Sequence, residues 1–297
     1  MNRRIALIFS ILSAFLVGAC SESPTRSDDD SGARGTIDQS SNLAYYPVET
    51  IQSYAQSERE ISFDFAYDIT AVKITYNTID WNGSPVEATG VLIVPVTVDA
   101  LPTVSLQHGT VFHRQEVASV NLVESREGLI GIAFASAGFV TLLPDYLGYG
   151  GSDTMHPYLH ARSNANVIID FIRAARSWCD VNRVLLDDQL FLGGYSEGGY
   201  NTMATHRMIA MSDLEGLDVT ASAPSAGPYD LYGMVQNVAE RFSYPQPMFL
   251  AFMLTAYNEI YEWDRLTDIF QSPYAEMMPE LFSGHYSGGA IGDELPG

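Results

Sequence analysis

The chain has 297 residues and a formal net charge of −21 at pH 7, with 46% hydrophobic and 11% aromatic residues. This composition fits a globular protein with a sizeable core, and the charge argues against nucleic acid or anionic lipid as a direct partner because phosphates would be repelled. The two cysteines, Cys20 and Cys179, provide no framework of intrachain disulfides.

The first residues have the features of a secretory signal. Arg3 and Arg4 precede an apolar run that is too short to span a bilayer comfortably. The run ends in LVGAC, which resembles a bacterial lipobox, and the resemblance implies that Cys20 becomes the lipidated first residue of the mature protein. We expect residues 1–20 to be a lipoprotein signal peptide and the protein to be anchored in the bacterial cell envelope, periplasmic or at the outer-membrane surface. An ordinary signal peptide with an incidental cysteine is the alternative.

Residues 21–43 are polar and begin with SESPTRSDDDSGARG. A segment so poor in aliphatic and aromatic residues cannot bury enough apolar surface to fold on its own. We expect a flexible tether with a root-mean-square reach of about 25 Å for roughly 22 residues. The rest of the chain divides into a core over residues 44–228 and a helical cap over residues 229–297.

Two half-buried strands begin the predicted core. In AVKITYNTID, Val72, Ile74 and Tyr76 alternate with polar residues, as in a strand with one face against a core. EATGVLIVPV follows as the partner strand, and Asn82 and Gly83 supply turn chemistry between the two.

The pattern then changes to buried strands that alternate with helices. PTVSLQHGT, GFVTLLPDYLGYG, DDQLFLGGYS and DVTASAPSAGPYD are predicted strands, and the low alternation of the first three is typical of parallel strands covered on both faces. One helix is predicted over YLHARSNANVIIDFIRAARSWC, with Cys179 as a buried thiol at its end. Another covers EGGYNTMATHRMIAM, with Tyr200, Ala204, Met208 and Met211 on one face. This order predicts an α/β fold with a mostly parallel sheet.

From Tyr229 onward the sequence is helical in pattern and rich in Tyr, Phe and Met, with breaks at Pro245 and Pro247. We interpret this part as a cap or lid over the carboxyl edge of the sheet. Helices packed on the side of the core are the alternative. The last residues, GGAIGDELPG, have the composition of a loop.

A G-x-S-x-G pattern lies between a predicted strand and a predicted helix, at Gly194-Tyr195-Ser196-Glu197-Gly198. A nucleophile at such a tight turn commonly has a positive φ, so the residues two positions before and after it approach closely and need to lack side chains. The turn delivers Ser196 to the start of a helix, where free N–H groups and the helix dipole favour an oxyanion. We therefore predict a nucleophile elbow with Ser196 as the nucleophile; a glycine-rich turn with a passive serine is the alternative.

Two backbone N–H groups are candidates for an oxyanion hole. The first is the N–H of Glu197, directly after the predicted nucleophile. The second comes from SLQHGT at the end of a buried strand, either the N–H of Thr110 or that of Gly109. His108 in the same loop is interpreted as a structural hydrogen bonder and not as the catalytic base.

LQHGT, LLPDYLGYGGSDTMHPYLHA and FLGGYSEGGYNTMATHR together resemble bacterial lipoprotein esterases of the α/β-hydrolase superfamily, which are related to secretory lipases. The resemblance covers approximately Ala71 to Ser287, with the three motifs in the expected order. It implies that Ser196 attacks an ester carbonyl and that the lid contributes an acyl pocket. It also implies that Asp145 and His156 belong to the wall of the site and take no part in proton transfer.

The sequence offers no clear general base for Ser196. In this fold the acid and then the histidine follow the nucleophile, and only His206 and His285 do so here. His206 lies on the predicted helix that starts at Ser196, about 15 Å along it at 1.5 Å per residue. His285 with Asp264 or Asp268 satisfies the chain order, but no apolar strand precedes either aspartate.

The resemblance places the acid and the histidine after two further strands beyond the lid, so we expect an α/β-hydrolase whose carboxyl-terminal strands are missing and whose activity is impaired. The predicted function is a lipid-anchored carboxylic ester hydrolase that forms an acyl-enzyme on small-molecule or lipid esters. A serine peptidase of the same superfamily and a non-catalytic lipid-anchored binding protein are the alternatives. His156 and His160 lack a convincing third ligand, so we predict no metal site and no cofactor.

Overall fold

The computed structural model describes residues 34–57, 64–212, 214, 216–240 and 245–295. The predicted signal peptide and Cys20 lie outside the described residues, so lipid anchoring stays a prediction. Among the described helices, none combines the length and the apolar character needed to cross a bilayer.

Seven strands of the described chain form one sheet. They are β1 (Ile37–Tyr46), β2 (Ile69–Ile79), β3 (Pro85–Pro95), β4 (Leu101–Gln107), β5 (Val140–Pro144), β6 (Leu186–Tyr195) and β7 (Ala221–Ser225). Their order across the sheet is β1-β2-β3-β5-β4-β6-β7. The pairs β5–β4, β4–β6 and β6–β7 are parallel, whereas β1, β2 and β3 extend the sheet by antiparallel pairing.

Helices follow the parallel strands. Those of the described chain are α1 (Val48–Ser57), α2 (Arg126–Ser136), α3 (Ala161–Val181), α4 (Glu197–Ser212), α5 (Leu231–Ala239), α6 (Pro247–Ile260), α7 (Leu266–Ile269), α8 (Tyr274–Leu281) and α9 (Gly288–Glu294). The predicted α/β fold with a mostly parallel sheet and additional helices is confirmed. Helices α1 and α2 were not predicted from the sequence.

The amino-terminal part of the fold corrects the predicted tether. Residues 37–43 are not flexible tether but belong to β1, which pairs antiparallel with β2. Just before this strand, Arg34 donates from Nε to the buried Asp170 carboxylate on α3 at 2.9 Å. The strand escaped prediction because its side chains are mostly exposed and polar, so its stability comes from backbone pairing and from this ion pair.

Helix α4 packs on the sheet with a face other than the apolar stripe of its sequence. Met211 of that stripe is 70% exposed. The buried residues of α4 are mostly small or polar: Glu197, Gly198, Gly199, Asn201, Thr202, Thr205 and Ile209. The reason is distance, because the start of the helix lies so close to the ends of β4 and β7 that larger side chains do not fit.

The helices α5 to α9 form the cap, with an apolar cluster of their own. Its buried members include Phe252 of α6, Met278 of α8 and Ile291 of α9, together with Phe112 and Tyr158 from loops that follow β4 and β5. The cluster therefore joins the cap to loops at the carboxyl ends of the parallel strands. The expectation of a loop at the end of the chain was wrong for residues 288–294, which form α9; the Ser287 side chain caps this helix.

The sheet order brings together two loops that are distant in sequence. Strands β4 and β6 are parallel neighbours, with Gln107 at the end of β4 opposite Gly194 near the end of β6. The loop after Gln107 and the turn after Tyr195 consequently lie side by side at the same edge. This edge carries the candidate site.

Candidate active site

Ser196 occupies a tight turn between β6 and α4. Its φ is 59°, in the left-handed region that non-glycine residues rarely adopt. Its N–H donates to the carbonyl oxygen of Ser225 on β7 at 2.9 Å, and its carbonyl accepts from the N–H of Tyr200 at 3.1 Å. The residue thus ends a strand and starts a helix at the same time, while its side chain stays half-buried.

The glycines on either side of Ser196 are required by close backbone contacts. A Cβ atom on Gly194 would lie 2.4 Å from the carbonyl oxygen of Gly198, and a Cβ on Gly198 would lie 2.0 Å from that of Gln107. A Cβ on Gly199 would lie 2.3 Å from the carbonyl oxygen of Ser225. Real Cβ atoms do not approach so closely, so side chains at these positions would push apart the start of α4 and the strand ends.

The loop after β4 lies against the turn and offers the second predicted oxyanion donor. A Cβ on Gly109 would be 3.9 Å from the Cβ of Ser196. The N–H of Gly109 donates to Glu127 Oε1 at 3.2 Å, so this group is already used. The N–H of Thr110 has no acceptor among the residues that the structure describes, which favours Thr110 over Gly109 as the partner of the Glu197 N–H.

The side chain of Thr110 connects this loop to the cap. Its hydroxyl lies 3.0 Å from the Tyr158 hydroxyl. The ring of Tyr158 stacks on Phe252 of α6, with centroids 4.5 Å apart and an interplanar angle of 5°. The position of the predicted oxyanion loop after β4 is therefore linked to the packing of the cap.

Glu197 and His156 form a buried pair directly behind the turn. His156 Nε2 lies 2.6 Å from Glu197 Oε1, and the two side chains are 2% and 0% exposed. His156 Nδ1 lies 2.9 Å from the carbonyl oxygen of Leu147. In the sequence analysis, the family resemblance placed His156 only in the wall of the site. The two paired residues are 41 positions apart, so no local sequence pattern predicts their contact.

The environment of His108 agrees with a structural role. Its Nδ1 lies 2.8 Å from the carbonyl oxygen of Gly109, and its Nε2 lies 3.0 Å from that of Asp145. Its ring stacks on Tyr146 at a centroid distance of 4.0 Å. Both ring nitrogens are therefore engaged with backbone carbonyls.

Asp145 is a buried carboxyl that organises the loop after β5. Burial raises the pKa of Asp145, while hydrogen bonds from Ser119 and Thr89 act in the opposite direction. Thr89 donates to one carboxyl oxygen and the N–H of Ser119 to the other. These contacts keep Asp145 inside the wall, where the resemblance had placed it.

The downstream histidines do not contact the predicted nucleophile. His206 lies 2.8 Å from the Ser222 hydroxyl through its Nδ1. His285 is exposed, and Asp268, one of its suggested partners, accepts from Arg265 instead. Within the described ranges, no histidine hydrogen-bonds to the Ser196 hydroxyl.

No group of three or more potential metal ligands occurs in the described part of the chain. His156 is paired with Glu197, and His160 Nδ1 lies 2.8 Å from the Ser163 hydroxyl. Both histidines therefore form hydrogen bonds within the fold.

Two bacterial proteins of known structure are similar to this chain over most of its length. A protein from Legionella pneumophila assigned as a hydrolase has 30% identity and a TM-score of 0.80; the match covers 88% of this chain and 71% of that protein. The rice cell wall degrading esterase LipA from Xanthomonas oryzae has 30% identity and a TM-score of 0.77, with 89% of this chain and 71% of LipA covered.

Candida antarctica lipase A is a more distant structural neighbour. It has 14% identity and a TM-score of 0.64, and the match covers 89% of this chain and 58% of the lipase. At this identity the likeness shows the fold alone. No family model and no curated protein sequence matches the chain.

Proposed function

We propose that this chain, which belongs to the same family of α/β-fold esterases as LipA from Xanthomonas oryzae, hydrolyses carboxylic esters with Ser196 as its nucleophile. The observation that carries the proposal is the backbone of Ser196. Its φ of 59° at the junction of β6 and α4 is strained for a non-glycine residue, and a passive serine has no need of such strain.

The proposed reaction begins with attack of the Ser196 Oγ on the ester carbonyl carbon. The carbonyl oxygen takes up negative charge in the tetrahedral intermediate, where the N–H groups of Thr110 and Glu197 stabilise it. Collapse breaks the bond to the alcohol, which leaves with a proton, and forms an acyl-enzyme. Water then attacks the acyl group and releases the acid and the free serine.

The proton of Ser196 needs a base, and none of the described histidines hydrogen-bonds to this residue. The described residues therefore account for the nucleophile and the two donors only. Oxyanion donors and binding alone retain roughly 10³- to 10⁴-fold acceleration over water in a serine hydrolase without its other triad members. We accordingly expect this chain by itself to turn over esters slowly, well below about 1 s⁻¹.

The first prediction concerns Ser196 itself. With p-nitrophenyl butyrate as substrate, Ser196→Ala should lose the acyl adduct that mass spectrometry detects on the wild type, because the covalent step is lost, and should keep only the residual turnover that the oxyanion donors support. Ser41→Ala, an exposed serine on β1, is the matched control and should keep the wild-type rate. An acyl adduct on Ser196→Ala at the wild-type level would rule out Ser196 as the nucleophile.

The rate and the substrate preference of the wild type separate two alternatives, a complete esterase and a peptidase. Turnover in the ordinary enzymatic range that depends on Ser196 would show that the chain supplies a base from residues outside the contacts described above. Preferential cleavage of aminoacyl p-nitroanilides would identify a peptidase.

A further inference from the structure

The hydrogen bonds of His156 determine how many protons the buried pair with Glu197 holds. A carbonyl oxygen only accepts, so the contact of Nδ1 with Leu147 at 2.9 Å requires a hydrogen on Nδ1. The contact of Nε2 with Glu197 Oε1 at 2.6 Å then requires one proton between these two atoms. Whether that proton resides on the ring or on the carboxyl, the pair as a whole carries no net charge.

We propose that this neutral pair is a positioning device for the oxyanion site, with His156 as a positioning residue that acts through Glu197. The proposal rests on the proposed function, because Glu197 supplies a donor for the oxyanion through its backbone N–H. His156 has two tasks in it. It holds the first residue of α4 in place, and it prevents an uncompensated carboxylate beside the oxyanion.

The first task follows from the geometry of the turn. Glu197 is the residue directly after Ser196, and its side chain is 0% exposed. His156 is itself anchored to Leu147 in the loop after β5. The pair therefore connects the start of α4 to a different part of the sheet edge, and it fixes the direction of the Glu197 N–H in advance of the reaction.

The second task follows from electrostatics. The start of a helix favours an anion, because its N–H groups carry partial positive charge. A bare carboxylate on the residue that supplies this N–H would oppose this effect, and repulsion between two like charges at the effective dielectric of a protein interior would slow the reaction by roughly 100-fold. A shared proton removes that repulsion.

The surroundings of the pair make His156 the group that compensates Glu197. The rings of Tyr149, Tyr158 and Phe252 lie 4.5, 6.1 and 5.8 Å from the His156 ring and shield it from water. Burial, and then Glu197, raise the pKa of Tyr149 well above its ordinary value, so this phenol stays neutral. Glu197 Oε2 has no partner among the described residues, which leaves His156 as the one described partner of this carboxyl.

The test compares four chains: wild type, H156Q, E197Q and H156Q/E197Q. Reaction of Ser196 with a fluorophosphonate probe is followed by mass spectrometry, and steady-state hydrolysis separates kcat from KM. In E197Q the amide can donate to Nε2 of a neutral His156, so the pair stays hydrogen-bonded and uncharged, and we expect E197Q to be labelled faster than H156Q. In H156Q the amide can hydrogen-bond to the carboxylate but supplies neither a positive charge nor a proton to neutralise it, and we expect a loss of about 100-fold, in kcat and not in KM, since the oxyanion exists only in the transition state.

The double variant decides the proposal. Removal of the carboxyl should restore at least about 10-fold of the rate lost in H156Q, because it removes the unpaired charge. A role of His156 in packing alone would give no such rescue. The proposal is overturned if H156Q/E197Q is labelled no faster than H156Q.

Thermal unfolding of the same four chains keeps the test independent of catalysis. H156Q should melt below wild type, and H156Q/E197Q should melt above H156Q, because an unpaired buried carboxyl is more costly than an amide. If wild type is labelled no faster than Ser196→Ala, the proposed function has failed. The melting temperatures alone then test whether His156 compensates Glu197. A double variant that melts no higher than H156Q then refutes it.

Discussion

Ser196 adopts a conformation that its immediate neighbours make possible. A φ of 59° costs a non-glycine residue of order 1–3 kcal/mol, and it persists here because both sides of the turn are fixed by hydrogen bonds to β7 and within α4. The glycines contribute because they have no Cβ atom. Gly194 and Gly198 allow backbone carbonyls to lie where a Cβ would otherwise be, so the tight turn at Ser196 can form.

Two glycines on either side of Ser196, Gly193 and Gly198, give contrasting predictions. Gly198→Ala should destabilise the protein by about 3 kcal/mol, because the new methyl would lie 2.0 Å from the carbonyl oxygen of Gln107. Gly193→Ala should cost less than about 1 kcal/mol, since its Cβ would meet only the Leu106 side chain at 3.5 Å. Urea unfolding of both variants measures the difference, and equal losses would show that close approach is not the reason for glycine at 198.

At the scale of elements, the sheet order explains how distant motifs meet. Strand β4 lies between β5 and β6, so the loops after all three strands share one edge. The loop with the proposed oxyanion donor Thr110 follows β4, the loop that bears His156 follows β5, and Ser196 follows β6. Helix α2 adds to this arrangement through Glu127, whose carboxylate holds the N–H of Gly109.

A buried carboxylate, that of Asp170, stabilises the edge of the sheet formed by β1 and β2. Asp170 on α3 accepts hydrogen bonds from Arg34, Thr78 and Arg173. Arg34 precedes β1, so its bond to Asp170 attaches the beginning of the described chain to a core helix. This bond holds the residue before β1 next to α3, and β1 then pairs antiparallel with β2.

Arg34→Ala should therefore destabilise the protein by about 2 kcal/mol, because a hydrogen bond to a buried charged group is lost. Hydrogen exchange should also show reduced protection of the β1 amides. Arg207→Ala, at an exposed arginine of α4, is the control and should change the free energy of unfolding by less than about 0.5 kcal/mol. A loss no larger than that of the control would mean that Asp170 is satisfied without Arg34.

At the scale of the whole molecule, the cap and the core are joined through aromatic rings. Phe252 of the cap stacks on Tyr158 of the core loop and on Phe282, with centroids 4.5 and 4.8 Å apart. Close by, the ring of His160 meets the edges of Tyr257 and Tyr261 of the cap. Core and cap thus share one apolar junction, and a half-buried titratable ring lies in it.

This junction predicts a pH dependence of stability. Burial, and then the charge of Arg162, lower the pKa of His160 from 6.5 to about 4. The unfolded chain therefore binds a proton near pH 6.5, whereas the folded chain binds it near pH 4, so stability is lost as pH falls between these values. The loss is at most about 3 kcal/mol.

Denaturant unfolding between pH 7 and pH 4 measures this effect. His160→Gln should reduce the dependence of the unfolding free energy on pH in that window, because the residue that takes up the proton is gone. His285→Gln, at an exposed histidine, is the matched control. An unchanged slope in His160→Gln would contradict the assignment.

Much of the fold was accessible from sequence because its signals are local. The alternation in β2, the apolar runs of β4 and β6 and the helical spacing of α3 each extend over a few turns or pleats, and they predict the element from its own residues. The exceptions have physical causes. Strand β1 has little apolar patterning, α9 is short and rich in glycine, and the buried face of α4 is chosen by its distance from the sheet.

Local patterns along the chain specify the α/β fold and the position of a strained serine between a strand and a helix, because glycine spacing and hydrophobic periodicity act within a segment. The side chains that meet around that serine are brought together by the packing of distant segments. The pairs His156–Glu197 and Gly109–Glu127 join different loops and helices, and their contacts depend on strand order and on the packing of helices against the sheet. Such contacts produce no periodic pattern in the sequence, because each requires only one suitable residue at one position of each segment.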